Sequence, residues 1–208
     1  MKEFKEIPAS KRSIAMRRKV LGVGINDAEY LTQIKVVGKF IQCPFYRTWV
    51  GVLYRCYSDK LRSVRPTYSG CSVSSEWLTF SRFKEWMQNQ DWRGKQIDKD
   101  IIVTGNKVYS PDKCIFVSSS INNLIIGRRD GVCGVNYDKF SSSFHANCSV
   151  NGKKVYLGSF TTESEAGATY KRFKSNHILS VANKQQQPLK GYLLRIAEEI
   201  LNQKESTK

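Results

Sequence analysis

The stretch SFHANCSVNGKKVYLGSF, Ser143 to Phe160, decides how the C-terminal part of the chain folds. Side chains along a strand point alternately to opposite faces, so Phe144, Ala146, Cys148 and Val150 share one face and His145, Asn147 and Ser149 the other. Asn151-Gly152 separates two such runs, and the tightest hairpin turn needs positive φ at both central positions, which Asn and Gly adopt most readily. Past the turn, Val155 and Leu157 continue the apolar face while Lys154 and Tyr156 join the polar one. The spacing predicts a β-hairpin.

Immediately downstream, TTESEAGATYKRFK opens with Thr162 three residues before Glu165, the pattern of a reciprocal N-terminal cap. Ala166, Tyr170 and Phe173 follow at helical spacing. One helix covers one face of a sheet, so the other stays bare. That bare face carries Asn136, His145, Asn147, Ser149, Lys154 and Tyr156, a mixture of amide, hydroxyl, imidazole, ammonium and phenol. A merely solvated sheet face favours Lys, Glu and Thr, so this set points to contact with a nucleic-acid groove.

The overall charge agrees. Lys and Arg number 34 against 18 Asp and Glu, a formal net charge of +16 in 208 residues, and a field of that sign gathers polyanions. Double-stranded DNA is the partner to expect. A membrane is not, because the sequence offers no basic amphipathic helix and no run of about 18 apolar residues. The N-terminal segment MKEFKEIPASKRSIAMRRKV lacks the apolar core of roughly 7 to 15 residues that marks a secretory signal, so a cytoplasmic protein is expected. Six cysteines (Cys43, Cys56, Cys71, Cys114, Cys133, Cys148) lie far apart with no C-x-x-C pair, and read mostly as buried thiols. A zinc site built from the first four is the alternative.

Four segments are expected: a basic arm over 1–24, a mixed domain over 25–127, the sheet module over 128–180 and a C-terminal helix over 181–208. In the second, Phe45, Trp49, Val52, Leu53 and Cys56 repeat at helical spacing behind Pro44, with Arg47 and Arg55 on the other side. EWLTFSRFKEWMQNQ places Trp77, Phe80, Phe83 and Met87 on a second helix, capped by Ser74 or Ser75. In QIDKDIIVTGNKVYSPDKCIFV, Gln96 to Val117, a first strand runs through Ile97, Ile101, Ile102 and Val103, TGNK makes a turn, and Cys114 to Val117 form a second strand before a short helix. The fold class is therefore α+β.

Gly134-Val135, Phe144-x-Ala146, the Asn-Gly hairpin, Leu157-Gly158-x-Phe160, Thr162-x-x-Glu165-Ala166 and Tyr170 together resemble the APETALA-type (ethylene-response-factor) DNA-binding domain over the last third of the chain. The resemblance implies a three-stranded antiparallel sheet, packed on one helix, that lies in the major groove. It places the groove contacts on Asn136, Asp138, Asn147, Ser149, Lys154 and Tyr156. Short polar groups stand where that family carries arginines, which removes bidentate guanine contacts and implies sequence-tolerant binding. His145 on the same face and Arg128 and Arg129 in the basic linker are candidate phosphate contacts.

The middle segment, with Trp49, Arg55-Cys56-Tyr57, Glu76-Trp77, Asp98-Lys99-Asp100, Asn106, Tyr109-Ser110-Pro111, Cys114 and Asn122, resembles phage homing-endonuclease-like proteins of the HNH class. That resemblance implies a ββα domain with flanking helices, of phage origin and working in the host cytoplasm. A site of this class needs a general base, a divalent metal and ligands for it. The histidine expected on the first strand is replaced around Asp98-Lys99, and Lys113 stands where asparagine is usual. The frame is degenerate. Two readings stay open: DNA binding without cleavage, or a nicking endonuclease in which Asp98 and Asp100, on one face by strand alternation and joined by Asn106 or Asn122, hold Mg²⁺ or Mn²⁺. A third is a protein-binding regulator of a host nucleic-acid enzyme.

Overall fold

The computed structural model describes residues 4–125 and 134–203. The chain divides into two compact units, Met1–Val117 and Ser118–Lys208. The boundary expected near Gly127 lies outside the described residues. The fold is mixed α+β, with several small sheets.

The first unit holds α1 (Lys11–Ala15), the antiparallel pair β1 (Gln33–Val36) and β2 (Lys39–Gln42), α2 (Pro44–Tyr57) and α3 (Asp59–Val64). Its later part holds β3 (Ser72–Val73), α4 (Phe80–Gln88), β4 (Gln96–Asp98), β5 (Val108–Tyr109) and β6 (Ile115–Val117). Pro44 opens α2, where its missing N–H costs nothing, and Trp49, Val52, Leu53 and Cys56 line the helix's buried side. They meet Trp77, Phe80, Phe83 and Met87, as the sequence spacing predicts. The indole of Trp49 donates to the Trp77 carbonyl at 2.7 Å, so its one polar atom is satisfied although the ring is fully buried.

The structure places the N-terminal segment and corrects two expectations. The basic arm is tied down: the Arg17 guanidinium donates to the carbonyls of Asn26 (3.1 Å), Ala28 and Tyr30 (2.9 Å), and Pro8 bridges Tyr30. The second helix does not begin at Ser74 or Ser75. Glu76–Leu78 form a 3₁₀ turn, and Thr79 is extended because Ile25 bonds across it, donating to the Leu78 carbonyl and accepting from the Phe80 N–H. Asp27 then accepts from the Ser81 N–H at 2.9 Å, a cap delivered from a distant part of the chain. Finally, the strand beginning at Gln96 stops at Asp98, and Ile101 to Val103 are not part of it. β4 pairs antiparallel with β6, whereas β5 pairs parallel with β3.

The second unit contains α5 (Ser119–Ile125), β7 (Val135–Asp138), β8 (Ser143–Val150), β9 (Lys153–Phe160), α6 (Glu163–Ala182) and α7 (Leu189–Asn202). The three strands form one antiparallel sheet in the order β7-β8-β9, and α6 packs on it. Thr162 and Glu165 form the expected reciprocal cap. α6 runs past the expected boundary at 181 to Ala182, and α7 packs along it through Leu193, Ile196, Ala197 and Ile200, with the Ser175 hydroxyl donating to the Ala197 carbonyl at 3.0 Å. The hairpin forms around Asn151 and Gly152, both at positive φ.

Strict alternation fails at one place in this hairpin. Ala146 faces Gly158 but Asn147 faces Tyr156, so Leu157 is an extra residue, a bulge. Gly158 sits at φ +134 with the Phe160 ring against its backbone, a geometry that a side chain would disturb. At the start of β7, Gly134 at φ +95 lies under the Asn147 carbonyl and the Tyr170 ring, where a Cβ has no room.

Candidate nucleic-acid interface

Register places the expected groove residues on one face of the sheet. Asn136 lies opposite His145, which lies opposite Ser159; Asn147 lies opposite Tyr156, and Ser149 opposite Lys154. Residues paired directly across strands point the same way, so these form one surface. The other surface buries Ala146 and Cys148 completely. Tyr156 is 59% exposed, and its ring meets the His145 ring edge-on at 5.8 Å.

At one end of this surface a polar network fixes the loop between β7 and β8. The Asp138 carboxylate accepts from the Phe140 N–H at 3.0 Å and from the Ser141 hydroxyl at 2.9 Å. Those two bonds, the backbone one first, hold its pKa below the ordinary carboxylate range. Nε2 of His145 lies 3.9 Å from the same carboxylate and 3.2 Å from the Ser143 hydroxyl. Asp138 thus shapes the loop, and the loop holds Phe140 fully in solvent, 101% exposed. Sequence reasoning missed Phe140, because a lone aromatic in a loop has no periodicity to mark it. Arg128 and Arg129 lie outside the described residues.

His177 lies within α6, which continues to Ala182. Its pKa is lowered, first by burial and then by the charges of Lys174 and Lys184.

The nuclease-like residues of the first unit are arranged differently from the strand expectation. Asp98 ends β4, and its Oδ1 accepts from the N–H groups of Asp100 (2.7 Å) and Ile101 (2.9 Å) in a tight side-chain turn. Asp100 turns to Lys99, whose ammonium lies 2.9 Å from both carboxylate oxygens. Lys99 is 3% exposed and also donates to the Asn106 carbonyl at 2.6 Å. Asn106 in turn donates to the carbonyls of Lys99 (2.9 Å) and Val108 (2.7 Å). The two aspartates therefore do not share a strand face. Asn122 belongs to α5, in the other compact unit. Arg55, on the side of α2 away from its apolar stripe, lies over the Tyr109 ring with its guanidinium carbon 5.5 Å from the centroid.

Cys43, Cys56, Cys71 and Cys114 are free and buried. Burial pushes the thiols of Cys56 and Cys114 up to about 12, which favours the protonated form over the thiolate that zinc requires. Cys133 lies outside the described residues. Among the described residues no group of three or more His, Cys, Asp or Glu is placed to hold a metal ion. No helix of the described residues is long and apolar enough to cross a membrane.

Compared with protein-family models, curated proteins and solved structures, the chain matches none of them.

Proposed function

We propose that the protein binds double-stranded DNA in a sequence-tolerant way, with the polar face of the β7-β8-β9 sheet laid in the major groove. The observation that carries this reading is the register of that face: Asn136, His145, Asn147, Ser149, Lys154 and Tyr156 on one surface, backed by α6 on the other. Amides and hydroxyls accept and donate without demanding one base, and the net charge of +16 supplies attraction to phosphates. Phe140, held out at the rim, adds an apolar tip that stacks against a base step.

The first unit on this reading is a nuclease-like frame that supports binding without cleavage. What supports that is the use of Asp98 in a backbone turn and of Asp100 on a buried lysine. The deciding experiment is duplex binding by the full chain across a salt series. With roughly six to ten phosphate contacts, affinity falls about 10³ to 10⁵-fold between about 50 and 200 mM salt. A flat salt series defeats the proposal, and metal-dependent nicking of plasmid DNA restores the nuclease reading.

A further inference from the structure

Inside the second unit, a cavity of about 790 Å³ lies between α5, the β8-β9 hairpin and α6. Lys174 of α6 lines it while being only 6% exposed. Among the described residues no hydrogen bond or ion pair engages its ammonium. Burying a charge without a partner is costly, and the usual remedy is a carboxylate within reach. Among the described residues no carboxylate lines this cavity. Instead His177 of the same helix adds a second basic group to the lining. The positive potential there is strong enough to lower the pKa of His177 through Lys174, in addition to the effect of burial.

We propose that this cavity receives a phosphate group, with the Lys174 ammonium as its charge partner. Lys174 and His177, three residues apart on α6, both line the cavity and present two basic groups from one helix face. A phosphate carries more charge and more acceptor oxygens than a carboxylate, which suits two neighbouring basic groups. The phosphate has two possible sources, a free phosphate or nucleotide and a backbone phosphate of bound DNA. Only the second source rests on the DNA-binding reading.

The full chain is titrated calorimetrically with inorganic phosphate and with adenosine monophosphate, and separately with a short duplex across a salt series. Lys174→Met keeps the aliphatic stem and removes the charge, and Lys174→Arg keeps the charge. For a free source, Lys174→Met loses about tenfold to a hundredfold in phosphate or nucleotide affinity, and Lys174→Arg recovers it. For a backbone source, the free ligands do not bind, but Lys174→Met lowers the salt slope of duplex binding by about 1. A Lys174→Met chain indistinguishable from the parent with all three ligands overturns the proposal, and Lys174 is then a packed stem only. If Lys174→Met does not fold, the Lys174 side-chain resonance of the parent decides: a shift with any of the three supports the site, and no shift overturns it. Phosphate binding without duplex binding sinks the DNA reading and leaves this one standing.

Discussion

Lys99 and Asp100, neighbours in sequence, form a buried ion pair: the ammonium lies 2.9 Å from both carboxylate oxygens, with side-chain exposures of 4% and 14%. The Lys99 ammonium also donates to the Asn106 carbonyl at 2.6 Å. Removing one partner leaves an uncompensated buried charge, so Asp100→Ala is expected to lose about 3 to 5 kcal/mol in urea unfolding. Replacing both, as Lys99→Met with Asp100→Leu, is expected to cost far less. An Asp100→Ala chain as stable as the parent shows that the pair does not hold the loop.

Asp98 acts one step earlier. Its carboxylate ends β4 by accepting two backbone N–H groups, so Asp98→Ala leaves those donors without that acceptor. Loss of charged hydrogen bonds of this kind costs about 1.5 to 3 kcal/mol. Stability is expected to fall by that order, while supercoiled plasmid stays intact with parent and variant alike in Mg²⁺ or Mn²⁺. Nicking by the parent, abolished in Asp98→Ala, is the result that contradicts this.

On the proposed interface, charge and stacking are separable. Lys154 lies opposite Ser149 on the polar face and supplies a charge, so Lys154→Ala is expected to weaken binding to all duplexes alike and to lower the salt slope by about 1. Phe140 supplies no charge; Phe140→Ala is expected to cost about 1 to 3 kcal/mol with the slope unchanged. Filter binding at several salt concentrations reads both numbers from one data set. Equal effects of the two variants on the slope contradict the assignment.

The thiols give a prediction in alkali. Cys56 and Cys114 are raised to about 12 by burial, whereas the unfolded chain ionises them near the ordinary value of about 8.5. Between those values the unfolded state has released protons that the folded state keeps. Stability therefore falls as pH rises above about 8.5, by at most about 1.4 kcal/mol per pH unit for each thiol. Both cysteines are expected to resist alkylation in the native chain at pH near 8 and to react fully in urea. Rapid native labelling of either, located by mass spectrometry, counts against the buried placement.

The features legible in the sequence are those fixed by near neighbours. The β8-β9 hairpin follows from alternation and Asn151-Gly152, the α6 start from Thr162 and Glu165, and the buried side of α2 from Trp49, Val52, Leu53 and Cys56. What escaped depends on distant residues. The break before Phe80 is made by Ile25 and Asp27, and the docking of the N-terminal segment by Arg17 on three carbonyls. The bulge at Leu157, with the Phe160 ring over Gly158, breaks an alternation that the residues themselves keep. At the candidate site the polar face was readable, because period two survives up to the bulge. The Asp98 turn was not, because Ile101 to Val103 look like a strand once the competing side-chain acceptor is ignored.

Asp138 links the β7-β8 loop to pH. Its pKa is depressed by the Phe140 N–H and the Ser141 hydroxyl, so the stabilisation is fully present above the ordinary aspartate value of about 3.9 and is lost as pH falls below it. The Phe140 amide resonance is expected to follow this titration, with a midpoint below that ordinary value; a midpoint at or above it shows that the bond does not hold the loop. In DNA binding, Asp138→Ala has two opposed effects. Deleting a negative charge near phosphate raises affinity, while freeing the loop releases Phe140 from its fixed position. Salt separates them, since the charge effect is screened and the positional one is not. At low salt Asp138→Ala is expected to bind as well as the parent or better, and at high salt worse. A variant that binds better at every salt concentration shows that the Asp138 turn contributes nothing to holding Phe140 for the duplex.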